Sequence, residues 1–447
     1  MKSSAMVPAS SFGMTPSISA GVRPASPIAS RAACRWSSRV ENSVPRVKGV
    51  CPTPTIAVWA LIDIFSLESR VSRGGRDERA RVDRVPEDNG FRGADPTDRR
   101  GDVDVALPKG YHWPGGARGA AGLCWLEVVM RIGIFVSETW GPASALDEIR
   151  DRTRHAEAMG FASAWVPYLP WSLDALTSMQ AAGEVTEAIE IGSAVIPTYF
   201  FHPLALARQT ATTQAAIGRP IHLGIGCSNP AVVAMHGLPF DRPARHVREY
   251  LEVLEAAMQT GAKPAGEREQ AGFVQFEGEF FALGSIYGTP AVRPPGSILV
   301  GALGPHMLRV AGTCSDGVIA TWSDEGAIER EIVPPVRAAA RAAGRSDPRI
   351  AGVVAVAIVP RARTADVRAA AQAEFAFYEQ SMPYQRVVQA SDAEAIGEIC
   401  VIGDEEEVAR RLRGFRDAGM TDFLAAPFAV EGADWNSTAE KLARIEL

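Results

Sequence analysis

The sequence predicts an eight-stranded parallel β/α barrel over residues 130–447, preceded by a long N-terminal extension. Eight short apolar runs recur along this part, and a helical stretch follows each one. Most runs do not alternate apolar with polar residues, which is typical of parallel strands covered by helices on both faces. The 318 residues suffice, because a single barrel needs about 250. The runs are residues 131–136, 163–168, 189–197, 221–228, 298–303, 317–322, 351–359 and 421–428.

Charge separates the two parts of the chain. Residues 1–129 carry 18 basic and 13 acidic residues, a net of +5, whereas the remainder carries 28 and 39, a net of −11. The extension is rich in Arg, Ser, Pro and Gly and has no helical or strand period. This composition indicates a disordered segment or translated sequence upstream of Met130, with a targeting peptide or basic arm as the alternative. The acidic barrel argues against nucleic acid as a partner.

The composition break predicts that the chain shortened to begin at Met130 folds and keeps the ligand affinity of the full chain. Solubility and ligand binding of the shortened protein check this. Insoluble or non-binding protein would make residues 1–129 part of the structure.

The cysteines predict neither disulfides nor a metal site. None of the six lies in a CxxC pair, and no His/Cys spacing suggests zinc. A reduced, cytoplasmic protein is the simplest interpretation. The longest apolar run of the extension, residues 55–67, is too short to cross a bilayer and contains Asp63, so no membrane association is expected.

The helices follow the strands in order. The first is predicted with Ser144 as its N-cap and Gly160 just past its end. Two connections, of 69 residues after strand 4 and 61 after strand 7, are insertions, which suit substrate lids and contacts in a homodimer. The first insertion contains an expected hairpin over residues 273–283. The predicted helices are residues 145–159, 204–217, 243–260, 306–313, 325–343, 364–380, 404–418 and 437–445.

Three adjacent strand ends carry the residues most suited to chemistry, because such barrels bind substrates at the C-terminal ends of their strands. The third strand contains Gly192, which permits close approach of a flat ring or only ordinary packing. The fourth ends in Gly-Ile-Gly-Cys-Ser-Asn (224–229), which suits a phosphate or ribityl chain or a tight turn. The fifth ends in Gly-Ala-Leu-Gly-Pro-His (301–306), an anion-binding helix start or a plain helix entry.

From Met130 to Leu447 the chain resembles the bacterial luciferase-like superfamily, and within it the oxidoreductases that use the deazaflavin coenzyme F420. Residues 196–209 (IPTYFFHPLALARQ) carry the most specific part of the resemblance. Residues 223–228 (LGIGCS), 236–243 (HGLPFDRP), 248–251 (REYL) and 302–305 (ALGP) add to it.

The resemblance implies roles for particular residues. A non-proline cis peptide at Ala194–Val195 would lie against the coenzyme ring. Relatives often carry an acidic residue and a His at the end of the second strand, where this chain has Tyr168 and Leu169, so Tyr168 is the first candidate proton donor. This chain has Asn229-Pro230 where many relatives have His-Arg, so one cation that would face the phosphate is missing here. The expected phosphate-binding residues are Cys227, Ser228, Asn229, Gly301, Ala302, Leu303 and Gly304.

Two further side chains near strand ends are candidates for catalysis. His202 follows the third strand and Glu138 the first, and either could act as an acid or contact substrate. His155 and His222 are expected to be structural. Four aromatic residues near strand ends are expected either to line a substrate pocket or to serve only for packing: Trp140, Trp171, Tyr199 and Trp322.

The resemblance therefore implies an enzyme that moves a hydride between coenzyme F420 and a small organic substrate. A monooxygenase on the same barrel, using reduced FMN and oxygen, is the near alternative. A barrel that binds a flavin or deazaflavin without catalysis is the third, because the usual pair at the second strand is absent. The fold alone does not identify the substrate.

Overall fold

The computed structural model contains the predicted barrel, closed by parallel strand pairing. It describes residues 130–140, 143–261, 272–288 and 294–447, so the extension lies outside the described residues. Strand β1 pairs with both β2 and β12, which closes the ring. In the described part the strands are β1 (Arg131–Phe135), β2 (Ser163–Val166), β3 (Glu190–Ser193), β4 (Ile196–Pro197), β5 (His222–Gly226), β6 (Gly272–Glu277), β7 (Ala282–Tyr287), β8 (Ser297–Gly301), β9 (Gly317–Thr321), β10 (Arg349–Ile358), β11 (Val401–Gly403) and β12 (Asp422–Pro427).

Eight of these strands form the ring in the order β1-β2-β3-β5-β8-β9-β10-β12, and all eight correspond to predicted strands. The short β4 continues the third strand after a break and pairs with β5. The short β11 pairs with the outer end of β10. Strands β6 and β7 form the expected antiparallel hairpin of the first insertion. Both insertions, after the fourth and seventh barrel strands, are confirmed.

Helices cover the outside of the ring. Six of the eight predicted helices are confirmed as single α-helices, with small shifts at their ends. Among the described residues no helix combines the length and apolar character needed to cross a membrane. The α-helices are α1 (Leu146–Ala158), α2 (Ala175–Gly183), α3 (Pro203–Ile217), α4 (Pro230–Met235), α5 (Pro243–Gly261), α6 (Pro305–Cys314), α7 (Glu325–Ala327), α8 (Val333–Ala342), α9 (Thr364–Phe375), α10 (Met382–Ala390), α11 (Ile396–Ile399), α12 (Glu405–Asp417) and α13 (Trp435–Leu442).

Two predicted helices are not single α-helices. A π-helical turn at Ile328–Ile332 joins α7 to α8. Pro334 and Pro335 follow it, and a proline has no N–H to donate to the preceding turn, which explains the local irregularity. The helix predicted over residues 364–380 ends at Phe375 and continues as a 3₁₀-helix, Ala376–Gln380.

The cap predicted for the first helix is wrong in part. Ala145, not Ser144, is the N-cap of α1, and it makes no side-chain cap hydrogen bond. The Ser144 hydroxyl instead accepts a hydrogen bond from Arg152 at 3.2 Å. Gly160 has a φ of +85°, as expected for a glycine just past a helix end.

The inside of the ring is filled by side chains, as in other barrels of this kind. Phe135, Trp165 and Leu424 are almost fully buried there. Trp140, Ala194, Val195 and Val353 pack partly buried against the same cluster. A larger apolar layer lies between the strands and the helices.

A buried charged network closes the N-terminal end of the ring. Asp422, which is 1% exposed, accepts hydrogen bonds from Arg131 at 2.5 Å and Arg349 at 2.8 Å. Glu190 also pairs with both arginines, at 2.8 and 3.2 Å. These residues begin strands on different sides of the ring, so the network links β1, β3, β10 and β12.

His222 at the start of β5 joins this network as a neutral imidazole. Its Nδ1 lies 2.7 Å from Ser297 Oγ and accepts a hydrogen bond from Arg349 at 2.9 Å. Its Nε2 therefore carries the proton and faces Glu190 Oε2 at 3.2 Å. Burial lowers the pKa of His222 to about 4, with Glu190 opposing and Arg349 reinforcing the shift. The structural role expected for His222 agrees with this position.

This lowered pKa predicts loss of stability in mild acid. Between pH 6.5 and 4 the unfolded chain protonates His222 and the folded protein does not, so the free energy of unfolding falls by about 3 kcal/mol. We expect His222→Gln to remove most of this slope between pH 7 and pH 4.5 in urea titrations. His155→Gln, at an exposed histidine of α1, is the matched control and should keep it. An unchanged slope in His222→Gln would contradict the prediction.

Candidate active site

The third barrel strand is interrupted where the sequence predicted a special backbone. The Ala194–Val195 peptide bond is cis, as expected. Ser193 Oγ donates to the carbonyl of Gly224 and accepts from its N–H, both at 3.0 Å, which ties β3 to β5. Beyond the break, the N–H of Thr198 donates to Gly226 O at 2.8 Å. The residues around the cis bond are therefore fixed on both sides.

Three neighbouring strand ends meet around the side chain of Val195. A Cβ placed on Gly226 would lie 2.8 Å from Val195 Cγ2, and one placed on Gly301 would lie 3.4 Å from both its methyl carbons. The two glycines thus let Val195 lie close to the ends of β5 and β8. The expectation that the third, fourth and fifth strand ends converge is confirmed.

Gly192 serves packing, the second of the two roles that the sequence left open. A Cβ there would lie 2.5 Å from the ring of Trp165. The flat ring against this strand is therefore the buried indole of Trp165, whose Nε1 donates to Ser163 Oγ at 2.7 Å. The glycine is needed for packing inside the barrel.

We therefore expect Gly192→Ala to lower the free energy of unfolding by about 1–3 kcal/mol, because overpacking displaces the indole. Thermal unfolding checks this. Gly304→Ala is the matched control, because a Cβ there meets nothing within 4 Å. An unchanged melting temperature in Gly192→Ala together with weaker ligand binding would restore the first interpretation.

The loop after β5 is held by its own side chains. Asn229 caps α4, its Oδ1 accepting from Ala231 N at 2.8 Å. Ser228 has a φ of +64°, in the left-handed region that L-residues seldom adopt. Burial raises the pKa of Cys227 to about 11, so this free cysteine is a neutral thiol at pH 7. Backbone groups and the Ser228 hydroxyl remain to contact a ligand.

The loop after β8 leads into the start of α6. Gly301 ends the strand, and the N–H of Ala302 donates to Ile319 O at 3.1 Å. Gly304 is the N-cap residue of α6, which has no side-chain cap hydrogen bond. An uncapped helix start of this kind is suited to an anion. Leu303 is half-buried between these points.

Tyr168 lies beside the interrupted strand. Val166 and Ser193 are register partners, and Ala194 N donates to Val166 O at 2.9 Å, so Tyr168 follows β2 next to the cis bond. Its ring packs edge-on against Phe201 at 5.4 Å. Burial, and then the carboxylate of Asp174, raise the pKa of Tyr168, so its hydroxyl is neutral at pH 7.

The other two catalytic candidates have structural contacts. His202 is exposed and caps α3, its Nδ1 accepting from Leu204 N at 3.3 Å. Glu138 is 7% exposed, and its Oε2 accepts from the N–H of Ser144 at 2.9 Å, which braces the loop after β1.

An aromatic cluster borders the ends of β1, β9 and β12. Trp140 packs against Phe375 at 4.8 Å and Phe428 at 5.9 Å, and Trp322 packs against Phe375 at 4.4 Å and Tyr378 at 5.4 Å. Trp140 and Trp322 were expected near the mouth. Tyr199 instead stacks on His246 at 4.0 Å and donates to Asp241 O, so it packs the insertion after β5.

The sequence did not single out the aromatic residues supplied by the second insertion. Phe375 and Tyr378 join the cluster, and Tyr384 on α10 packs edge-on against Tyr378 at 5.0 Å. The unusual length of this connection was the only signal for them. Among the described residues no group of three or more His, Cys, Asp or Glu could hold a metal ion.

A family model of luciferase-like monooxygenases matches residues 130–422, and the chain belongs to this family. It is 30% identical over 223 residues to an F420-dependent glucose-6-phosphate dehydrogenase of Microbacterium testaceum, covering 47% of this chain and 62% of that protein. It is 29% identical over 210 residues to a 5,10-methylenetetrahydromethanopterin reductase of Methanopyrus kandleri, covering 43% and 56%. The matches span less than two thirds of either relative.

Solved structures with the same fold include members of two functional groups. The coenzyme F420 dependent tetrahydromethanopterin reductase of Methanopyrus kandleri superposes with a TM-score of 0.56 at 20% identity, covering 71% of this chain and 98% of that one. A monooxygenase of Streptomyces bottropensis superposes with a TM-score of 0.52 at 20% identity, covering 71% and 97%. At these identities the superpositions establish the fold alone.

Proposed function

We propose that this chain is an oxidoreductase that moves a hydride between coenzyme F420 and a small organic substrate. The observation that carries the proposal is the meeting of three strand ends around Val195, next to the cis peptide bond. Coenzyme F420 supplies the hydride chemistry when bound, and the protein orients it and excludes water. The F420-dependent activity in the name of the Microbacterium testaceum relative supports this choice of coenzyme.

The residues around Val195 suit the face of a planar ring. Ala194 and Val195 are half-buried at the top of the inner cluster, so they offer apolar surface toward the mouth. Gly226 and Gly301 present no side chain beside them. A flat, rigid platform of this kind holds a ring in one orientation, which hydride transfer requires.

The neighbouring loops suit the coenzyme's phosphate-bearing tail. Residues 227–229, with the Ser228 hydroxyl, follow β5, and the uncapped start of α6 follows β8, the strand paired with β5. A Cβ on Gly304 meets nothing within 4 Å, so space is open there. Helix dipole and backbone N–H groups would replace the cation that is absent at Asn229-Pro230.

Direct binding tests the proposal. We expect the full-length protein to bind F420, measured by quenching of its fluorescence, at least tenfold more tightly than FMN. Tighter FMN binding would favour the monooxygenase alternative, and binding without turnover of any substrate would favour a non-catalytic barrel. If neither ligand binds, the proposed function is wrong.

Two variants test where the phosphate-bearing tail of F420 binds. Gly304→Val adds bulk into the open space at the start of α6 and should weaken F420 binding at least tenfold while leaving the melting temperature unchanged. Ala145→Val places the same side chain at the exposed N-cap of α1 and is the control. Equal F420 affinity in both variants would remove α6 from the site.

The names of the relatives suggest a phosphorylated sugar or a pterin as substrates to be tested. A homodimer is the assembly we propose, from the two insertions, and light scattering of the purified protein tests it. The comparison of F420 and FMN binding depends neither on the identity of the substrate nor on the assembly.

A further inference from the structure

The ends of the barrel strands carry little charge. The three residues after each strand, with β3 and β4 taken together, are 136–138, 167–169, 198–200, 227–229, 302–304, 322–324, 359–361 and 428–430. Among these described residues the charged ones are Glu138, Asp324 and Arg361.

Both carboxylates are already bound by the protein's backbone. Glu138 accepts from Ser144 N. Asp324 is 4% exposed, and its two oxygens accept from the N–H groups of Ala327 and Asp392, each at 2.8 Å. Both side chains are carboxylates, so neither supplies a positive charge to an anionic substrate.

The single cation lies beyond the rim of the barrel. Val353 of β10 pairs with Thr321, the last residue of β9, and the part of β10 beyond Val353 pairs with β11. Arg361 comes eight residues after Val353 and is exposed. At the strand ends outside the loops after β5 and β8, a phosphate buried in the mouth would therefore have no Arg or Lys beside it, and burial of an unpaired ion is strongly unfavourable.

Aromatic groups occupy the side of the mouth away from the third, fourth and fifth strand ends. Trp140, Trp322, Tyr378 and Phe428 form a contiguous wall there, with Tyr384 packed on Tyr378. Burial, then Tyr378 and then Cys227 raise the pKa of Tyr384. Tyr378 packs on Trp322, which directly follows β9, so the second insertion borders this side of the mouth.

We propose that this mouth selects a neutral, largely apolar substrate and rejects phosphorylated or carboxylated ones. The aromatic wall supplies contact area, and the strand ends on its side of the mouth supply no countercharge for an anion. This inference rests on the proposed function, because it concerns the substrate of that reaction. The selection of ligands by the mouth is measured separately from F420 binding.

Calorimetric binding to the full-length protein tests the proposal, with and without F420. Acetophenone is the neutral probe, and glucose 6-phosphate is the anionic one. We expect acetophenone to bind at least tenfold more tightly than the sugar phosphate in both conditions. Equal or tighter binding of glucose 6-phosphate would overturn the inference. Loss of F420 binding alone would instead refute the proposed function.

Variants of α10 test the wall itself. Tyr384→Ala should weaken acetophenone binding at least fivefold, and Tyr384→Leu, which keeps apolar volume and folding, should weaken it less than twofold. Met382→Ala is the control on the same helix, because Met382 is 79% exposed. F420 affinity should be equal in all three. Unchanged acetophenone binding in Tyr384→Ala with a folded protein would show that α10 does not contact the substrate.

Discussion

Tyr168→Phe is expected to lower the rate of substrate turnover by about 10²–10⁴-fold, the usual contribution of a positioned general acid. Tyr168 lies beside the cis bond, and its raised pKa keeps the hydroxyl protonated at pH 7. The substitution removes one oxygen and keeps the edge-on contact with Phe201. We therefore expect F420 affinity to stay within a few-fold and the melting temperature to be unchanged.

Tyr287→Phe is the control for this measurement. Tyr287 is a buried tyrosine of the hairpin, with Arg208 over its ring, and its replacement should leave the rate within twofold. An unchanged rate in Tyr168→Phe would remove Tyr168 from the mechanism and direct attention to His202 and Glu138. A large loss of F420 binding would make Tyr168 a ring contact.

The second large effect concerns stability. Asp422→Asn should lower the free energy of unfolding by about 3–5 kcal/mol, because it leaves Arg131 and Arg349 without their most buried partner. Both arginines hold the pKa of Asp422 below its usual value despite burial, so the carboxylate is charged in the folded protein. Urea unfolding at pH 7 measures the loss.

Asp147→Asn provides the matched comparison. Asp147 pairs with Arg150 in an ion pair whose carboxylate is 90% exposed, and such pairs contribute about 1 kcal/mol or less. A loss in Asp422→Asn no larger than that in Asp147→Asn would mean that Glu190 alone balances the two arginines.

The barrel was predictable because its strands are continuous apolar runs. Each strand is covered on one face by the side chains inside the ring and on the other by the helices, so neither face needs polar residues. The ends of the strands were less predictable. Tyr168, Trp322 and Phe428 were assigned to strands because they are apolar, although they lie just past the last paired residues and border the mouth. Helix α2 was missed because small residues such as Ala181 and Ala182 are buried on more than one side and leave no clear period.

The candidate site was predictable where the backbone determines it. Glycines at strand ends and the segment around Ala194 follow from local sequence, and the structure brings them together. Contacts between distant segments were not predictable. Gly192 gives no sign that Trp165 fills the space beside it, and Tyr384 gives no sign that it packs on Tyr378.

The attachment of β11 to the outer end of β10 has an evolutionary consequence. The segment between β10 and β12 supplies one wall of the mouth, yet the ring closes through β10 and β12 without it. The loops proposed for the coenzyme come from β3, β5 and β8, on other parts of the ring. A change in this one segment therefore alters a wall of the mouth without altering the loops proposed for the coenzyme, so substrate preference and coenzyme binding can change independently.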